Sequence, residues 1–153
     1  MSRHVISKKE LKILGGRFHD MGLDAPFITE NQIEIEEKKG KKIYYISKIP
    51  IAVESPEFYP TVELLDAIKP GFRNITIDDG AVPRILGGAK LFAQGIVEMD
   101  PGIKANDTVF IRGIDGRYVA IGTALFDADA IMKTRKGPAA EILLRGGQET
   151  GLI

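Results

Sequence analysis

Two kinds of apolar periodicity, one helical and one alternating, define the elements at the start of the chain. Ser7 and Glu10 have the spacing of a helical capping box. The apolar residues that follow recur along one helix face: Leu11, Leu14 and Phe18. The pair Gly15 and Gly16 weakens this helix, because each glycine costs about 1 kcal/mol relative to alanine. The pattern therefore leaves two possible ends, one at the glycines and one near His19.

An alternating pattern follows and predicts a β-hairpin. Residues 32–37 alternate between apolar and polar or acidic side chains, and residues 42–48 form the return strand. The turn between them contains Gly40, which tolerates a positive φ. Four lysines surround it: Lys38, Lys39, Lys41 and Lys42. They are either a basic finger for RNA or the ribosome or a solvated hairpin tip, and the pattern alone favours the solvated tip.

Residues 49–53 predict a short strand, which Pro50 assigns to the edge of its sheet because proline cannot donate to a neighbouring strand. After it, residues 58–65 predict the start of a second helix. Its apolar face would consist of Val62, Leu65 and Ile68. Pro70-Gly71 ends this helix and marks a domain boundary.

The central stretch, residues 75–96, predicts a strand, a tight turn, a short helix and another strand. Ile75 and Ile77 alternate with polar neighbours, and one of the two following aspartates, Asp78 or Asp79, can accept a backbone N–H at the helix start.

The short helix has Pro83 in its first turn, where proline is tolerated. Its expected buried stripe consists of Val82, Ile85 and Leu86. Gly87-Gly88 ends the helix, and residues 91–96 leave it as one strand.

The remainder of the chain is rich in predicted strands. Residues 108–114 and 117–126 flank Asp115-Gly116, a strong two-residue hairpin signal. Asp127 can cap a short helix over residues 128–132, and residues 138–144 form a closing strand. Several short strands with two brief helices predict a small Greek-key-like barrel.

Composition indicates an ordinary globular protein. The chain has 153 residues, of which 44% are hydrophobic and 27% charged. It has no apolar run near the roughly 18 residues of a membrane span, and its first ten residues lack the apolar core of a signal peptide. We therefore expect a cytoplasmic location and no membrane partner. Without cysteine, neither disulfides nor thiolate metal sites can form.

Charge is balanced along the chain. Residues 1–71 hold 11 Lys and Arg against 11 Asp and Glu, and residues 72–153 hold 10 of each. Affinity for nucleic acid depends heavily on neutralising phosphates. Any RNA site must therefore be a local basic cluster with a small footprint.

The central stretch resembles the PUA domain, the RNA-binding fold of pseudouridine synthases and archaeosine transglycosylases. The matching segments are Asp-Gly-Ala-Val at residues 79–82, Gly-Ala at residues 88–89 and Ala-Gln-Gly-Ile at residues 93–96. The family usually has proline where this chain has Gln94.

This resemblance implies a site, since in the family the short helix and the strand after it form the RNA-contacting groove. The corresponding residues here are Gly80, Ala81, Arg84, Gly88, Ala89, Lys90, Leu91 and Phe92. Arg84 and Lys90 would meet phosphates, and an exposed Phe92 would stack on a base. The residue pattern alone favours Phe92 as a core residue and leaves the two cations undecided.

A second basic cluster lies before Gly137 and consists of Lys133, Arg135 and Lys136. A short run of charge is usually solvated surface. If the barrel closes as in the PUA family, however, this loop lies beside the short helix, and both clusters share one RNA-binding face.

Residues 58–65, Phe-Tyr-Pro-Thr-Val-Glu-Leu-Leu, and the order of elements before residue 71 resemble the pre-PUA domain. That domain precedes a PUA domain in archaeal proteins and in a eukaryotic family of translation reinitiation and ribosome-recycling factors. The resemblance implies an α+β domain over residues 1–71 and a mainly β PUA-like pseudobarrel with two short helices over residues 72–153. It also implies work with the small ribosomal subunit and the tRNA acceptor end.

Catalytic and metal-binding patterns are weak. His4 and His19 are the only histidines and lack ligand spacing. Gly87-Gly88-Ala89-Lys90 lacks the spacing and the hydroxyl residue of a phosphate-binding loop. We therefore expect no metal, no cofactor and no enzymatic activity.

Three hypotheses follow. The first is a non-enzymatic protein that recognises structured RNA, namely tRNA, rRNA or the ribosome. The second is an adaptor or RNA-targeting subunit for an RNA-modification enzyme, which docks a protein partner through residues 1–71. The third is a small enzyme with an unfamiliar site, which only a deep pocket of convergent polar groups would support.

Overall fold

A computed structural model describes residues 3–24 and 26–146. The chain divides into two compact units, residues 1–70 and residues 71–153. Each unit contains one β-sheet, and each is described separately below.

In its described residues, the first unit combines a five-stranded antiparallel sheet with three helices. The elements in chain order are β1 (His4–Val5), α1 (Lys8–Asp20), α2 (Phe27–Glu30), β2 (Glu34–Lys38), β3 (Lys41–Ile46), β4 (Ile49–Glu54), β5 (Phe58–Pro60) and α3 (Val62–Ile68). The strands lie in sequence order from β1 to β5, which is the simplest antiparallel arrangement.

Helix α1 begins with the predicted capping box. The Ser7 hydroxyl accepts a hydrogen bond from the Glu10 N–H at 3.1 Å, and the Glu10 carboxylate accepts one from the Ser7 N–H at 3.1 Å. The helix continues through Gly15 and Gly16 and ends at Asp20. Both Leu14 and Phe18 are buried, so packing on each side of the glycines offsets their low helix propensity.

Strand β4 lies inside the sheet, between β3 and β5, so its predicted edge position is wrong. The register shifts where Tyr44 pairs with Ala52 and Tyr45 with Pro50, which leaves Ile51 as an extra residue in β4. A bulge of this kind accommodates a proline inside a sheet, because it interrupts the ladder where the N–H is missing.

Helix α3 begins at Val62, later than the predicted start near Phe58. Residues Phe58–Pro60 instead form β5, which pairs with β4. Thr61 separates the two elements, and its hydroxyl caps the helix by accepting the Leu64 N–H at 3.1 Å. The helix buries Leu64 and Leu65, whereas the other predicted face residues are only half-buried.

The second unit consists of a six-stranded sheet and, within its described residues, two short helices. Its elements are β6 (Asn74–Ile77), α4 (Ala81–Leu86), β7 (Leu91–Phe92), a 3-10 turn (Ala93–Gly95), β8 (Ile96–Met99), β9 (Thr108–Gly113), β10 (Tyr118–Ala124), α5 (Ala128–Thr134) and β11 (Pro138–Arg145). The strand order is β7-β11-β10-β9-β6-β8.

The sheet of the second unit curls because its two edges are consecutive in the chain. Strands β7 and β8 lie at opposite edges, yet only the turn Ala93–Gly95 separates them. The expected single strand over residues 91–96 is therefore wrong. The curl encloses one apolar core that includes Ile75, Ile77 and Ile111, and Asn74 and Thr76 are also buried, so β6 is covered on both faces.

The β9–β10 hairpin turns at the predicted position, with Gly116 at φ 86° and the Asp115 carboxylate accepting the Arg117 N–H at 3.0 Å. Asp127 stands at the N-cap of α5 but makes no side-chain cap there. Its carboxylate instead accepts the Ala105 N–H at 2.9 Å.

The predicted fold class, an α+β domain followed by a mainly β pseudobarrel with two short helices, is confirmed. Among the residues described, no helix is both long and apolar enough to cross a membrane.

Candidate nucleic-acid interface

Helix α4 is held at both ends by hydrogen bonds between a side chain and the helix backbone. At its start the Asp78 carboxylate accepts the Ala81 N–H at 2.8 Å, as predicted for one of the two aspartates. At its end the carbonyl of Ile85 accepts a 2.7 Å hydrogen bond from the guanidinium of Arg145, which is buried at the end of β11. A six-residue helix is thus fixed to the barrel.

The side chains of α4 are buried less completely than the sequence predicts. Ile85 is 1% exposed and Val82 is half-buried, but Leu86 is 44% exposed, so its predicted burial is wrong. The helix packs against β10 and β11, and one turn and a half can bury only one side against them.

A groove of about 420 Å³ lies between α4 and β7. Its lining residues are Ala81, Arg84, Ile85, Ala89, Lys90, Leu91, Phe92, Gln94 and Gly95. The buried Ile85 and Leu91 supply apolar side chains at its base, whereas Arg84, Lys90 and Phe92 are exposed around it. We call these three residues the rim.

The groove includes six of the eight residues that the resemblance nominated in this region. Gly80 and Gly88 are exposed but are not among its lining residues. Gly88 instead takes a positive φ of 115° in the turn after α4, a conformation that favours glycine.

Phe92 is the rim residue whose position differs most from the expectation based on pattern alone. It is 49% exposed, whereas its neighbour Leu91 is buried. Successive side chains of a strand point to opposite sides, so burial of Leu91 turns Phe92 outward. Its ring offers a stacking surface beside two cations.

The loop with the second basic cluster meets β7. Phe92 pairs with Pro138 in the β7–β11 register, and the Ala93 N–H donates to the Gly137 carbonyl at 2.9 Å. Lys133 and Lys136 are exposed. Two segments more than 40 positions apart in sequence are thus brought together.

Arg135 also has a structural contact. It caps α5 in a left-handed conformation, with φ 51°, and its guanidinium donates to the Ile96 carbonyl at 2.8 Å. This bond directs Arg135 to the start of β8. The remaining N–H groups of the guanidinium retain donor capacity.

Sequence reasoning missed Glu141 on β11. Its carboxylate lies 3.8 Å from the Lys90 ammonium, and both side chains are more than half exposed. No local pattern signals this pair, because two buried alanines precede Glu141 and β11 does not alternate there.

Gly95 and Gln94 were also missing from the nominated set. A Cβ on Gly95 would lie 3.0 Å from the Cβ of Ala81, so glycine permits close approach of α4 to the turn between β7 and β8. A glycine inside a segment expected to be a strand is the sequence signal for such an approach.

In residues 3–24 and 26–146, no group of three or more His, Asp or Glu side chains is placed to hold a metal ion. The groove lining contains two cations, one amide and otherwise apolar or small residues.

Sequence families match both units. The PUA domain matches residues 73–143, and a domain of unknown function, DUF1947, matches residues 2–67.

Similarity to proteins of two archaea extends over nearly the whole chain. The solved structure of a conserved PUA domain protein from Thermoplasma acidophilum is 38% identical, with a TM-score of 0.89 over 97% of this chain and 96% of that chain. An uncharacterized protein of Methanocaldococcus jannaschii is 29% identical over 92% of this chain and 90% of its own length.

A third relative is larger. A probable tRNA pseudouridine synthase B of Archaeoglobus fulgidus is 41% identical over 68 residues, which are 44% of this chain and 21% of that protein. The chain thus spans about a fifth of the synthase's length. Taken with the two family matches and the full-length similarity to the Thermoplasma protein, these comparisons show that the chain belongs to the PUA-domain proteins and carries a DUF1947 domain before its PUA domain.

Proposed function

We propose that the protein is a non-enzymatic RNA-binding protein that recognises structured RNA through the groove between α4 and β7. The rim carries the proposal, since it places an exposed aromatic ring beside Arg84 and Lys90 over an apolar base. Unpaired bases stack on aromatic side chains, and adjacent cations neutralise the phosphates that connect them.

The PUA relationship supports RNA as the ligand. A relative that shares part of this chain is named as a tRNA pseudouridine synthase, and the substrate in that name is an RNA.

A role in translation is the finer part of the proposal. The order of elements in residues 1–71 and the segment at residues 58–65 resemble the reinitiation and ribosome-recycling family. On this basis the bound RNA is tRNA, rRNA or another RNA associated with the small ribosomal subunit.

The chemistry of the groove supports binding rather than catalysis. Its lining offers no carboxylate, imidazole or hydroxyl side chain, which are the groups most often used for proton transfer or nucleophilic attack. Cations, an aromatic ring and small residues are instead suited to holding a nucleic-acid strand.

The test is binding of unfractionated tRNA to the full chain, measured by fluorescence anisotropy across a range of salt concentrations. Arg84→Glu should weaken binding and reduce the slope of log affinity against log salt by about 0.7–0.9, the value for one lost phosphate contact. Lys104→Glu is the matched control, because Lys104 is an exposed cation of the same unit that does not line the groove.

Undetectable binding of the wild-type chain at low salt would refute the proposal. Equal losses in Arg84→Glu and Lys104→Glu would refute the groove as the site.

A second candidate function is an adaptor or RNA-targeting subunit for an RNA-modification enzyme. Residues 1–71 have balanced charge, and Val5, Ile13 and Ile49 in this unit are more than half exposed. Exposed apolar side chains fit a protein partner better than an RNA partner. Recovery of a modification enzyme with the full chain after nuclease treatment would support this function, whereas loss of every partner on nuclease treatment would oppose it.

A further inference from the structure

The tip of the β2–β3 hairpin concentrates positive charge in a two-residue turn. Lys39 and Gly40 form the turn, with φ values of 52° and 76°, which is the geometry of a tight hairpin with both central residues left-handed. Lys38 ends β2, and Lys41 and Lys42 begin β3. We call these four lysines the lysine tip.

The lysine tip adopts two arrangements that hairpins usually avoid. Lys38 and Lys41 are direct partners in the register, and like charges at opposite positions destabilise a strand pair. Lys39 occupies a left-handed position where asparagine, aspartate or glycine is preferred. Neither the opposed lysines nor the left-handed lysine stabilises the hairpin. Both features therefore indicate that the positive charge at the turn serves binding and not folding.

Acidic residues lie opposite Lys42 at the base of the tip. Lys42 pairs with Glu37 on β2 and with Glu54 on β4 in the two registers. Lys38 and Lys39 lie beyond these carboxylates and are exposed. The positive charge therefore points away from the sheet at the end of the hairpin.

The tip also contrasts with the domain that carries it. Residues 1–71 hold 11 Lys and Arg and 11 Asp and Glu, and four of the 11 cations lie within residues 38–42. Outside the tip this domain has more acidic than basic residues. A polyanion would therefore be attracted to the tip and repelled by much of the rest of the domain.

Side-chain type distinguishes between a protein and a nucleic acid as the polyanion. Protein interfaces are depleted in lysine and are centred on aromatic, methionine or arginine anchors, and residues 37–42 contain only glutamate, lysine and glycine. Lysine on a flexible stem binds phosphate as a point charge without reading base sequence. The composition of the tip fits a phosphate backbone.

We propose that the lysine tip is a second RNA-binding site, which contacts the phosphate backbone independently of base sequence. This inference rests on the proposed RNA-binding function and extends it to the DUF1947 domain, for which it assigns a ligand. Two linked contacts on one RNA would raise the overall affinity above that of the groove alone.

The test compares two triple variants of the full chain for binding to unfractionated tRNA. The first, Lys38→Gln with Lys39→Asn and Lys41→Gln, removes the outer charges and places a favoured residue in the turn. The control, Lys8→Gln with Lys9→Gln and Lys12→Gln, removes three exposed charges of α1 in the same domain.

We expect the tip variant to weaken binding by at least tenfold at low salt and to reduce the salt slope by about two, since each lost phosphate contact reduces it by about 0.7–0.9. The α1 control should remain within about twofold of wild type. It removes the same number of positive charges as the tip variant, but none of them belongs to the proposed phosphate contact. The tip variant should also melt at or above the wild-type temperature, because the opposed lysines are gone.

A measurement on the wild-type chain complements the variants. Bound tRNA should protect Lys38, Lys39 and Lys41 from acetylation by an amine-reactive reagent. Lys8, Lys9 and Lys12 should remain reactive. Mass spectrometry measures the extent of acetylation at each lysine. Unchanged binding and unchanged acetylation at the tip would overturn the inference while leaving the groove proposal intact. Equal effects of both triple variants would also overturn it. Absence of tRNA binding by the wild-type chain would refute both proposals.

Discussion

Lys90 and Glu141 face each other beside the groove, with 3.8 Å between the lysine Nζ and the glutamate Oε1. The lysine comes from the segment before β7 and the glutamate from β11. In the proposed complex, the carboxylate would compete with a phosphate for this lysine.

Removal of that carboxylate should strengthen RNA binding. Glu141→Gln is expected to raise tRNA affinity by up to about fivefold at low salt, because an exposed ion pair contributes about 0.2–1 kcal/mol. Fluorescence anisotropy measures the effect. Glu98→Gln is the control, since Glu98 is an exposed acid of β8 that lies near Arg112 rather than the rim. Unchanged or weaker binding by Glu141→Gln would contradict competition between the carboxylate and RNA.

Phe92→Ala should reduce affinity with little loss of stability. Base stacking on an aromatic ring contributes about 1–3 kcal/mol, and a half-exposed ring contributes less to folding than a core residue. Phe126→Ala is a close control, because Phe126 is 52% exposed in the same unit and does not line the groove. Equal tRNA affinities of the two variants would exclude stacking on Phe92.

Gly122→Ala should destabilise the PUA domain. A Cβ at this position would collide with the backbone carbonyl oxygen of Glu141, where the β10–β11 register shifts between Ile121 and Gly122. Overpacking against backbone costs about 1–3 kcal/mol, which thermal denaturation detects. Gly102→Ala, whose Cβ would meet nothing within 4 Å, should stay within about 0.5 kcal/mol of wild type. Equal melting temperatures of the two variants would contradict the close approach at Gly122.

Alkaline pH should destabilise the DUF1947 domain through two tyrosines. Burial and the nearby Glu54 raise the pKa of Tyr44 to about 12, and burial and a hydrogen bond to Glu57 raise the pKa of Tyr59 to about 12. The ordinary pKa is 10.0. Between pH 10 and pH 12 the unfolded chain therefore releases protons that the folded chain keeps, and the free energy of unfolding falls with rising pH.

Urea unfolding at pH 9 and pH 11 measures this decrease. The double variant Tyr44→Phe with Tyr59→Phe should lose a smaller part of its stability over the same interval, because it lacks the two titrating groups. An identical decrease in the variant and the wild type would show that other groups cause it.

Most of the elements were predictable because their signals are local. The capping box at Ser7 and Glu10 and the glycine turn at residues 115–116 depend on neighbouring residues, and both are present. The elements that differed depend on distant partners. Pro50 lies inside the sheet because β4 pairs with β3 on one side and with β5 on the other. Residues 58–60 form β5 instead of a helix because they pair with β4.

The groove was predictable in part for a similar reason. Resemblance to the PUA family nominated most of its lining, whereas the exposure of Phe92 follows from the burial of Leu91 against the barrel. Glu141 was missed because its proximity to Lys90 arises from the pairing of β7 with β11, which residue spacing does not specify.

The bond from Arg145 to Ile85 affects where the chain can be shortened. The PUA family match ends at residue 143, two positions before the guanidinium that secures the last turn of α4. Truncation at the limit of the match would leave the Ile85 carbonyl without this donor and loosen the helix that carries Arg84. A shortened protein that contains only the PUA domain should therefore include Arg145. Without Arg145, weak tRNA binding would reflect a loosened α4 and not the loss of an RNA contact.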